Sequence, residues 1–202
     1  MSKLYFYYST MGGSKSASLL MNAHNYEQQG KRVLLLKPTF DTRSKDGEIE
    51  SRVGISHSAI EFTNNDNLYE LIINEENKLF KETSGNFYDV VMIDEIHFAT
   101  KGQIKQLVDV VDKLDVNVIT YGLKNSYIDG KIFDSIQELI YQCNNMYEIK
   151  STCHFCNSKA THHLRIVKGD IIRSGEQNIV GDVVGEEKYI SCCRRHYYNP
   201  KF

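Results

Sequence analysis

Short apolar runs that alternate with amphipathic helical patterns constrain this chain more than any other feature of its sequence. The apolar runs lie at 4–8, 33–36, 90–93 and 116–121. The helical patterns lie at 19–26, 104–114 and 132–140. Strands that are apolar throughout need cover on both faces, and the helices between them supply it. We therefore predict an α/β domain with a mostly parallel sheet.

The chain departs from this alternation in two places. Between 41 and 67 no long period is present, and short β-like pieces around Val53 and at 60–62 indicate a hairpin or another excursion. After Lys150 glycines become frequent and no strong helical period is visible. We expect a boundary there, between a main domain at 1–150 and a smaller domain at 151–202.

Charge and cysteine content limit the partners and the compartment. The 24 Lys and Arg residues nearly balance the 26 Asp and Glu residues, so no overall positive field would attract nucleic acid or an anionic membrane. No apolar run approaches the roughly 20 residues that span a bilayer, and the first residues lack a signal-peptide pattern. Five cysteines are an odd number, and four of them lie in the last quarter of the chain, which favours a metal site over disulfides. The fifth, Cys143, lies in a helical pattern, and we expect it to be a small buried hydrophobic residue. We expect a cytoplasmic protein without a membrane or nucleic-acid partner.

The segment after the first predicted strand has the layout of a phosphate-binding loop, namely a strand, small residues, Lys-Ser and a helix. Its residues are Ser9, Thr10, Met11, Gly12, Gly13, Ser14, Lys15 and Ser16. In such a loop, backbone N–H groups and the helix N-terminus bind phosphate, the lysine reaches the β- and γ-phosphates, and the hydroxyl holds Mg²⁺. The loop sequence departs from the common motif, because Ser9 and Ser14 stand where that motif has glycine. The alternative is a small-residue turn that caps the first helix.

Two adjacent carboxylates end the third predicted strand. Asp94 and Glu95 follow an apolar run, and burying both there is unfavourable unless a cation pairs with them. Mg²⁺ suits this position, with Asp94 as its ligand and Glu95 positioned to accept a proton from a nucleophile. Ligands of open α/β sheets collect at the carboxyl ends of the strands, where the loop also lies. The alternative is a solvated strand end without a ligand.

Two pairs of residues with metal-ligand spacing frame the last quarter of the chain. Cys153 with Cys156 and Cys193 with His196 offer four ligands for a tetrahedral Zn²⁺. Cys192 competes with Cys193, but Cys193 has the two-residue spacing to His196. The alternative histidine ligands are His154, His162 and His163. Three cysteines and one histidine leave no open position for water, so the expected zinc is structural.

With these three features in order, the chain resembles the zinc-containing thymidine kinases, the type II family of animals, bacteria and large DNA phages. The resemblance covers nearly the whole chain and is closest to the bacterial and phage branch. It rests on the segments 4–9, 15–17, 41–43, 51–54, 93–95, 121–123 and 193–197.

The resemblance implies a fold and an activity. The fold would be a RecA-like P-loop domain with a small zinc-ribbon domain, whose lasso at about 157–190 closes over the substrate base. The activity would be ATP-dependent phosphorylation of the 5′-hydroxyl of thymidine or deoxyuridine, in pyrimidine deoxynucleotide salvage. The family also implies Mg²⁺, structural Zn²⁺, a homotetramer and feedback inhibition by dTTP, whose phosphates would point toward the loop.

The same resemblance implies roles for residues of the donor site. Glu95 would be the general base on the 5′-hydroxyl, and Lys15 would bind phosphate. Ser16 and Asp94 would position Mg²⁺. The donor site would continue past the acid pair to Ile96 and His97.

The nucleoside pocket is implied by three aromatic residues. Tyr189, Phe98 and Phe133 match aromatic positions of the family pocket, and the alternative for each is ordinary core packing. Arg52 would contact either phosphate or a neighbouring subunit.

Two departures from the family pattern bear on activity. Ser14 replaces a glycine whose missing Cβ lets the backbone approach phosphate, and His97 replaces a glutamine. A degenerate kinase that binds deoxynucleosides or dTTP with little turnover is therefore one alternative. Another is a zinc-bearing nucleic-acid-binding ATPase, which would use the basic residues Arg165, Lys168, Arg173, Arg194 and Arg195. The near-zero net charge and the lack of a basic and aromatic stripe count against it.

Overall fold

The chain, described here from a computed structural model, is defined at residues 1–41, 45–85, 87–179 and 185–200. In chain order its elements are β1 (Leu4–Ser9), α1 (Lys15–Gln28), β2 (Val33–Pro38), β3 (Glu48–Glu50), β4 (Ser56–Ser58), β5 (Ile60–Phe62), α2 (Leu68–Thr83), β6 (Val90–Ile93), a 3₁₀ turn (Ile96–Phe98), α3 (Lys101–Leu114), β7 (Asn117–Leu123), α4 (Asp134–Gln142), β8 (Asn145–Glu148), β9 (His162–Val167), β10 (Asp170–Ile172), β11 (Glu187–Cys192) and α5 (Arg194–Tyr198). Thr42 and Arg43, part of one family-like segment, lie outside the described residues.

A six-stranded sheet forms the centre of the fold. Its order is β5-β2-β6-β7-β1-β8, and all its neighbouring strands are parallel. β1 lies between β7 and β8, with Leu4 opposite Val118 and Tyr5 opposite Asn145. Because parallel strands end at the same edge, the loop after β1 and the acid pair after β6 leave the sheet on one side. The predicted α/β class with a mostly parallel sheet is confirmed.

Successive residues of the strands face two different layers of the core. On one face, Phe6 belongs to the larger cluster together with Ile104 of α3 and Ile136 of α4. On the other, Tyr121 belongs to a cluster covered by Leu19 of α1. Helices on both faces explain why these strands are apolar on both sides.

The residues after Lys150 form a separate small sheet. β9 pairs with β10 and with β11, in both cases antiparallel. Leu164, Ile166 and Tyr197 belong to a third core cluster in this part of the chain. The hydroxyl of Tyr197 in α5 donates to the carbonyl oxygen of Tyr127 at 3.0 Å, which ties this part of the chain to the loop after β7.

Three details differ from the sequence-based expectations. Helix α2 has no counterpart in the prediction, although its N-cap Asn67 accepts hydrogen bonds from two backbone N–H groups of the first turn. β3 and β4 form the expected hairpin, but Val53 lies in its turn and is 71% exposed. Cys143, expected inside a helix, follows the last residue of α4 and is half-buried.

Among the helices of the described ranges, none combines the length and the apolar character that crossing a bilayer requires.

Candidate active site

The predicted phosphate loop joins β1 to α1 and turns sharply at its glycines. The N–H of Gly13 donates to the carbonyl oxygen of Thr10 at 3.1 Å. A Cβ added to Gly13 would lie 1.9 Å from Ser9 Oγ, so no side chain fits there. Gly12 has a φ of 72°, which glycine adopts without steric cost. The two glycines therefore shape the loop, although they stand at other positions than in the common pattern.

Ser14 holds an unfavourable backbone conformation at the N-cap of α1. Its φ of 58° and ψ of 30° are left-handed, and its side chain makes no capping hydrogen bond. This conformation costs a non-glycine residue about 1 kcal/mol. Ser14 is exposed and lines a cavity beside the loop. A glycine at this position would remove both the strain and the side chain.

Lys15 is buried at the start of α1 with its ammonium group against the loop. It is 5% exposed, and its Nζ donates to the carbonyl oxygen of Thr10 at 3.4 Å. No acidic side chain occupies the first turn of α1, so the positive end of the helix dipole adds to the lysine charge. A buried ammonium group is stable when it is paired with an anion. The loop is therefore suited to bind phosphate.

The acid pair lies at the end of β6, and both residues are 3% exposed. Glu95 has a φ of 46° and a ψ of 41°, and its N–H donates to Asp94 Oδ1 at 2.9 Å. Left-handed backbone at a non-glycine residue persists where surrounding structure holds it, as at many functional sites. With this backbone, Glu95 lines the same cavity as Lys15.

A cavity of about 320 Å³ brings the loop, the acid pair and the β3–β4 hairpin together. We call it the phosphate cavity. Its lining includes Gly12, Ser14, Lys15, Ser16, Asp41, Glu50, Ser51, Arg52, Asp94 and Glu95. It thus joins a basic side and an acidic side, which is the layout that a metal-bound polyphosphate needs.

A buried lysine anchors the β3–β4 hairpin, which forms one wall of the phosphate cavity and is called the hairpin wall below. Lys37, at the end of β2, is 2% exposed. Its Nζ donates to the carbonyl oxygens of Lys45 and Glu48 at 3.2 and 3.1 Å, and it lies 3.3 Å from Glu61 Oε1. These contacts fix the base of the hairpin against the main sheet.

A second cavity, lined by aromatic residues, lies beside the 3₁₀ turn. Phe98 and Phe133, both predicted for the nucleoside pocket, line it together with Phe40 and His97. The rings of Phe40 and Phe98 have centroids 4.8 Å apart, as do those of His97 and Phe133. We call it the aromatic cavity. A planar base between such rings would gain stacking energy.

Tyr189 does not line either cavity as far as the described residues go. It is 3% exposed in the larger core, with its ring 6.1 Å from that of Tyr127 and 5.8 Å from that of His163. Burial raises the pKa of its hydroxyl to about 12, so Tyr189 is neutral at physiological pH. The part of the lasso at 180–184 lies outside the described residues.

The small sheet contacts the phosphate loop directly. The hydroxyl of Ser191 lies 2.8 Å from Thr10 Oγ1 and also within hydrogen-bond distance of the Met11 carbonyl oxygen. Thr10 Oγ1 is in turn 2.8 Å from the hydroxyl of Ser151. Residues of the last quarter of the chain thus hold the loop in place.

The four predicted metal ligands come together at one end of the small sheet. Cys153, Cys156, Cys193 and His196 each offer a ligand atom, and these atoms lie within 4.8 Å of one another. His196 Nδ1 is 3.4 Å from the sulfur of Cys153 and 3.4 Å from that of Cys193. In a tetrahedral zinc site, ligand atoms at about 2.0–2.3 Å from the metal are about 3.3–3.8 Å apart. The cluster therefore fits such an ion.

The thiol pKa values also differ between the predicted ligand Cys156 and the alternative cysteine Cys192. Hydrogen bonds from Ser158, assisted by Cys153 and Cys193, lower the pKa of Cys156 to about 6, which favours the metal-binding thiolate. Burial raises the pKa of Cys192 to about 12, and Cys192 lies in the third core cluster outside the ligand group.

Sequence reasoning missed several residues that the structure brings to the site. The hairpin wall and Lys37 carry no local motif, and Ser191 meets the loop across 181 positions of sequence from Thr10. Arg52 was singled out, and it lies in the lining of the phosphate cavity. A helical or strand period gives no signal for such contacts, because they depend on how distant elements pack.

The comparisons with known proteins give one family. A family model described as "Thymidine kinase" matches residues 2–197. Thymidine kinases of Rhodopirellula baltica, Legionella pneumophila (strain Lens) and Photorhabdus laumondii are 40%, 39% and 41% identical over 198 residues. Each match covers 98% of this chain, and 88%, 90% and 92% of the respective relative. The match with a crystal structure of Pif1 helicase from Candida albicans covers 74% of this chain and 36% of the helicase chain, at 13% sequence identity and a TM-score of 0.41.

Proposed function

The chain belongs to the thymidine kinase family, whose members are ATP-using phosphotransferases, and we propose that it transfers the γ-phosphoryl group of ATP to the 5′-hydroxyl of thymidine through the two cavities described above. ATP would place its phosphates in the phosphate cavity. Thymidine would place its base in the aromatic cavity, with the 5′-hydroxyl toward the acid pair.

One observation carries this proposal, namely the position of Glu95 between the two cavities. Glu95 lines the phosphate cavity, and its carboxylate contacts His97, which lines the aromatic cavity. A group there can reach both the donor phosphate and a nucleoside hydroxyl. On this basis Glu95 accepts the 5′-hydroxyl proton as the oxygen attacks the γ-phosphorus.

The loop residues bind and orient the phosphates. Lys15 and the N-terminus of α1 supply positive charge, and the narrow turn at Gly13 brings backbone N–H groups close to the phosphate oxygens. Thr10 and Met11 contact Ser191 of the small sheet, and the hydroxyl of Ser9 donates to the carbonyl oxygen of Ile149, which directly follows β8. Because phosphoryl transfer depends mainly on positioning and charge, these contacts account for much of the expected catalysis.

Mg²⁺ fits the oxygen donors of the phosphate cavity. Ser16 and Asp94 line it together, and a hydroxyl with a buried carboxylate is a donor set suited to this ion. When bound, Mg²⁺ neutralises phosphate charge. Zn²⁺ fits Cys153, Cys156, Cys193 and His196, and would join the two ends of the segment that forms the small sheet.

The remaining family properties are proposed on the resemblance alone. They are acceptance of deoxyuridine, a place in pyrimidine deoxynucleotide salvage, inhibition by dTTP, a homotetramer and a cytoplasmic location. Free thiols at all five cysteines suit a reducing compartment. We also propose the domain boundary at 150/151, since the small sheet and its core cluster consist of later residues.

Formation of dTMP from thymidine and MgATP by Glu95→Gln and wild type tests the proposal. We expect the variant to lose about 10²–10⁴ in kcat while calorimetry shows unchanged ATP and thymidine binding. The matched control is Glu50→Gln, which changes an exposed carboxylate lining the same cavity. A Glu95→Gln enzyme with near wild-type turnover would remove Glu95 from this role.

A thermal-shift comparison of thymidine, dTTP and single-stranded DNA separates the alternatives. Stabilisation by dTTP without any dTMP formation by wild type would indicate the degenerate kinase, to which the strained Ser14 points. Stabilisation by single-stranded DNA alone would indicate the nucleic-acid-binding ATPase.

A further inference from the structure

The side chain of Thr10 in the phosphate loop lies between two serines of the last quarter of the chain. Thr10 Oγ1 is 2.8 Å from the hydroxyl of Ser151 and 2.8 Å from that of Ser191. Ser191 Oγ is also within hydrogen-bond distance of the Met11 carbonyl oxygen. We call these three hydroxyls the hydroxyl cluster. Because Thr10 is buried, a hydrogen bond lost there is not fully replaced by one to water.

Both serines of the hydroxyl cluster stand two positions before a predicted metal ligand. Ser151 precedes Cys153, and Ser191 precedes Cys193. The carbonyl oxygen of Ser191 also accepts a hydrogen bond, at 2.9 Å, from the N–H of His154, the residue after Cys153. An ion that joins the two cysteines therefore restrains the backbone close to both serines.

The strand that carries Ser191 has a second attachment to the main domain. Tyr189 stands two residues earlier in β11, so the two side chains lie on the same face of the strand. Tyr189 belongs to the larger core cluster, together with Phe6 of the main sheet. The hydroxyl of Ser191 thus lies between an aromatic anchor on one side and the ligand Cys193 on the other. Without the metal, only the aromatic anchor holds this part of the strand against the loop.

The two serines act on the loop through the backbone of Thr10. Within the described part of the chain, neither Ser151 nor Ser191 belongs to the lining of the phosphate cavity or of the aromatic cavity. The carbonyl oxygen of Thr10 accepts the N–H of Gly13 at 3.1 Å and a hydrogen bond from Lys15 Nζ at 3.4 Å. A restraint on Thr10 is therefore also a restraint on the glycine turn and on the ammonium group that faces the phosphates.

We propose that Ser151 and Ser191 are positioning residues that couple the metal site to the phosphate loop. With the metal bound, the hydroxyl cluster holds Thr10, and with it the turn at Gly13 and Lys15, in the geometry that binds a polyphosphate. Without the metal, the polyphosphate must order the loop as it binds, which lowers its affinity. That the polyphosphate is ATP rests on the proposed function.

The first test measures ATP and thymidine affinity of the zinc-loaded protein by calorimetry with Mg²⁺ present. Ser191→Ala should bind ATP about 2–10-fold more weakly, which corresponds to the net free energy of one hydrogen bond. Ser191→Thr keeps the hydroxyl and should bind ATP as wild type does. Thymidine affinity and zinc content should not change in either variant, because Ser191 lines neither cavity and is not a ligand. Ser2→Ala is the matched control, since its hydroxyl also donates to a carbonyl oxygen, that of Asp115, but lies before β1, whereas the loop follows it.

The second test asks whether the metal acts through the hydroxyl cluster. Cys193→Ser, which should lose the metal, should weaken ATP binding at least as much as Ser191→Ala does. In a background that carries both Ser151→Ala and Ser191→Ala, the same cysteine substitution should cause little further loss, because contacts that act as a unit are not additive. Hydrogen exchange of the Gly13 amide gives a readout that does not depend on activity. It should be faster in Cys193→Ser and in Ser191→Ala than in wild type.

Three results would overturn the coupling: equal ATP affinity of Ser191→Ala and Ser191→Thr, ATP affinity in wild type that does not depend on the metal, and an equal effect of metal loss in both backgrounds. If Cys193→Ser does not fold, the comparison of the two Ser191 variants decides. A wild-type protein that forms no dTMP contradicts the proposed function instead, and if it binds no ATP, inorganic tripolyphosphate replaces ATP as the probe of the loop. An active wild type whose ATP affinity is unchanged by Ser191→Ala contradicts the coupling alone.

Discussion

At the scale of single residues, backbone conformation explains where this loop departs from the common phosphate-binding pattern. Ser14 and Ser84 have nearly the same left-handed backbone, with φ of 58° and 59°. Ser14 lines the phosphate cavity, whereas Ser84 ends the remote helix α2. Comparing substitutions at these two serines therefore distinguishes the effect of the backbone conformation on stability from the effect of the side chain on ligand binding.

We predict that Ser14→Gly tightens ATP and dTTP binding and leaves thymidine affinity nearly unchanged. The physical reason is that glycine removes a side chain from the phosphate approach and about 1 kcal/mol of backbone strain. Ser84→Gly should give a similar gain in unfolding free energy with no change in ligand affinity. Calorimetric titration of the three ligands against both variants is the measurement, and an equal change for thymidine would contradict the prediction.

At the scale of elements, the 3₁₀ turn and the small sheet are the parts that position chemistry. The turn is packed against β7 without room for a methyl group, and the metal ligands lie at the two ends of the segment that forms the small sheet. Each feature leads to a prediction in which one element moves while the rest of the fold is retained.

Gly122→Ala should push the turn away from β7. We expect a loss of about 1–3 kcal/mol in unfolding free energy from overpacking, together with a lower kcat, because Glu95 is the N-cap residue of the turn. Gly102→Ala is the matched control, since its added Cβ would meet nothing closer than 3.8 Å, at Thr100 Oγ1. Denaturant unfolding and steady-state kinetics measure the two effects. Wild-type kcat in a folded Gly122→Ala protein would refute the link between the turn and catalysis.

Cys193→Ser should lose the bound metal, whereas Cys192→Ser should keep it. Cys193 belongs to the four-ligand cluster and Cys192 to the core. We expect one Zn²⁺ per chain in wild type, and faster proteolysis of the segment after 150 than of the main sheet when a chelator is added, because structural zinc contributes directly to local folding. Metal analysis and limited proteolysis check this, and the reverse result for the two cysteines would reassign the ligand.

At the scale of the whole molecule, the small sheet rests on the phosphate loop and buries a histidine beside it. His163 is 2% exposed. Burial, with smaller contributions from the charges of Lys15, His97 and His162, lowers its pKa to about 3. His163 is therefore neutral in the folded chain over the physiological range, while the unfolded chain protonates it below about pH 6.5.

Stability should therefore fall with acidification. The contribution of neutral His163 to the free energy of unfolding is fully present above about pH 6.5. Below that pH it decreases by about 1.4 kcal/mol per pH unit, so that the free energy of unfolding is about 2 kcal/mol lower at pH 5. His163→Gln should give a flatter dependence of unfolding free energy on pH, and His24→Gln should leave the slope as in wild type. Denaturant unfolding from pH 7 to 5 is the measurement. Parallel slopes for wild type and His163→Gln would show that His163 is protonated in the folded chain.

The sequence by itself determined those features whose signal is local. The apolar runs, the small-residue loop ending in Lys15, the acid pair and the spacing of Cys153 and Cys156 each occupy a few consecutive positions, where strand period, helix start or ligand spacing can be recognised. They were sufficient for the α/β class, and they name residues that line the phosphate cavity. Helix α2 was within reach too, since Asn67 is a recognised N-cap type and Leu68, Leu71, Ile72 and Leu79 recur at helical spacing.

Only the tertiary structure decided how these local features combine. Packing, and the closing of loops of up to 181 residues, decided four features of the site. These are the strand order, the position of Arg52 in the lining of the phosphate cavity, the contact of Ser191 with the loop and the contact of His97 with Glu95. Tyr189, which the family resemblance places in the nucleoside pocket, lies in the core beside Tyr127. The physical reason is that packing energy is shared among many neighbours that are distant in sequence, so no short segment contains the information.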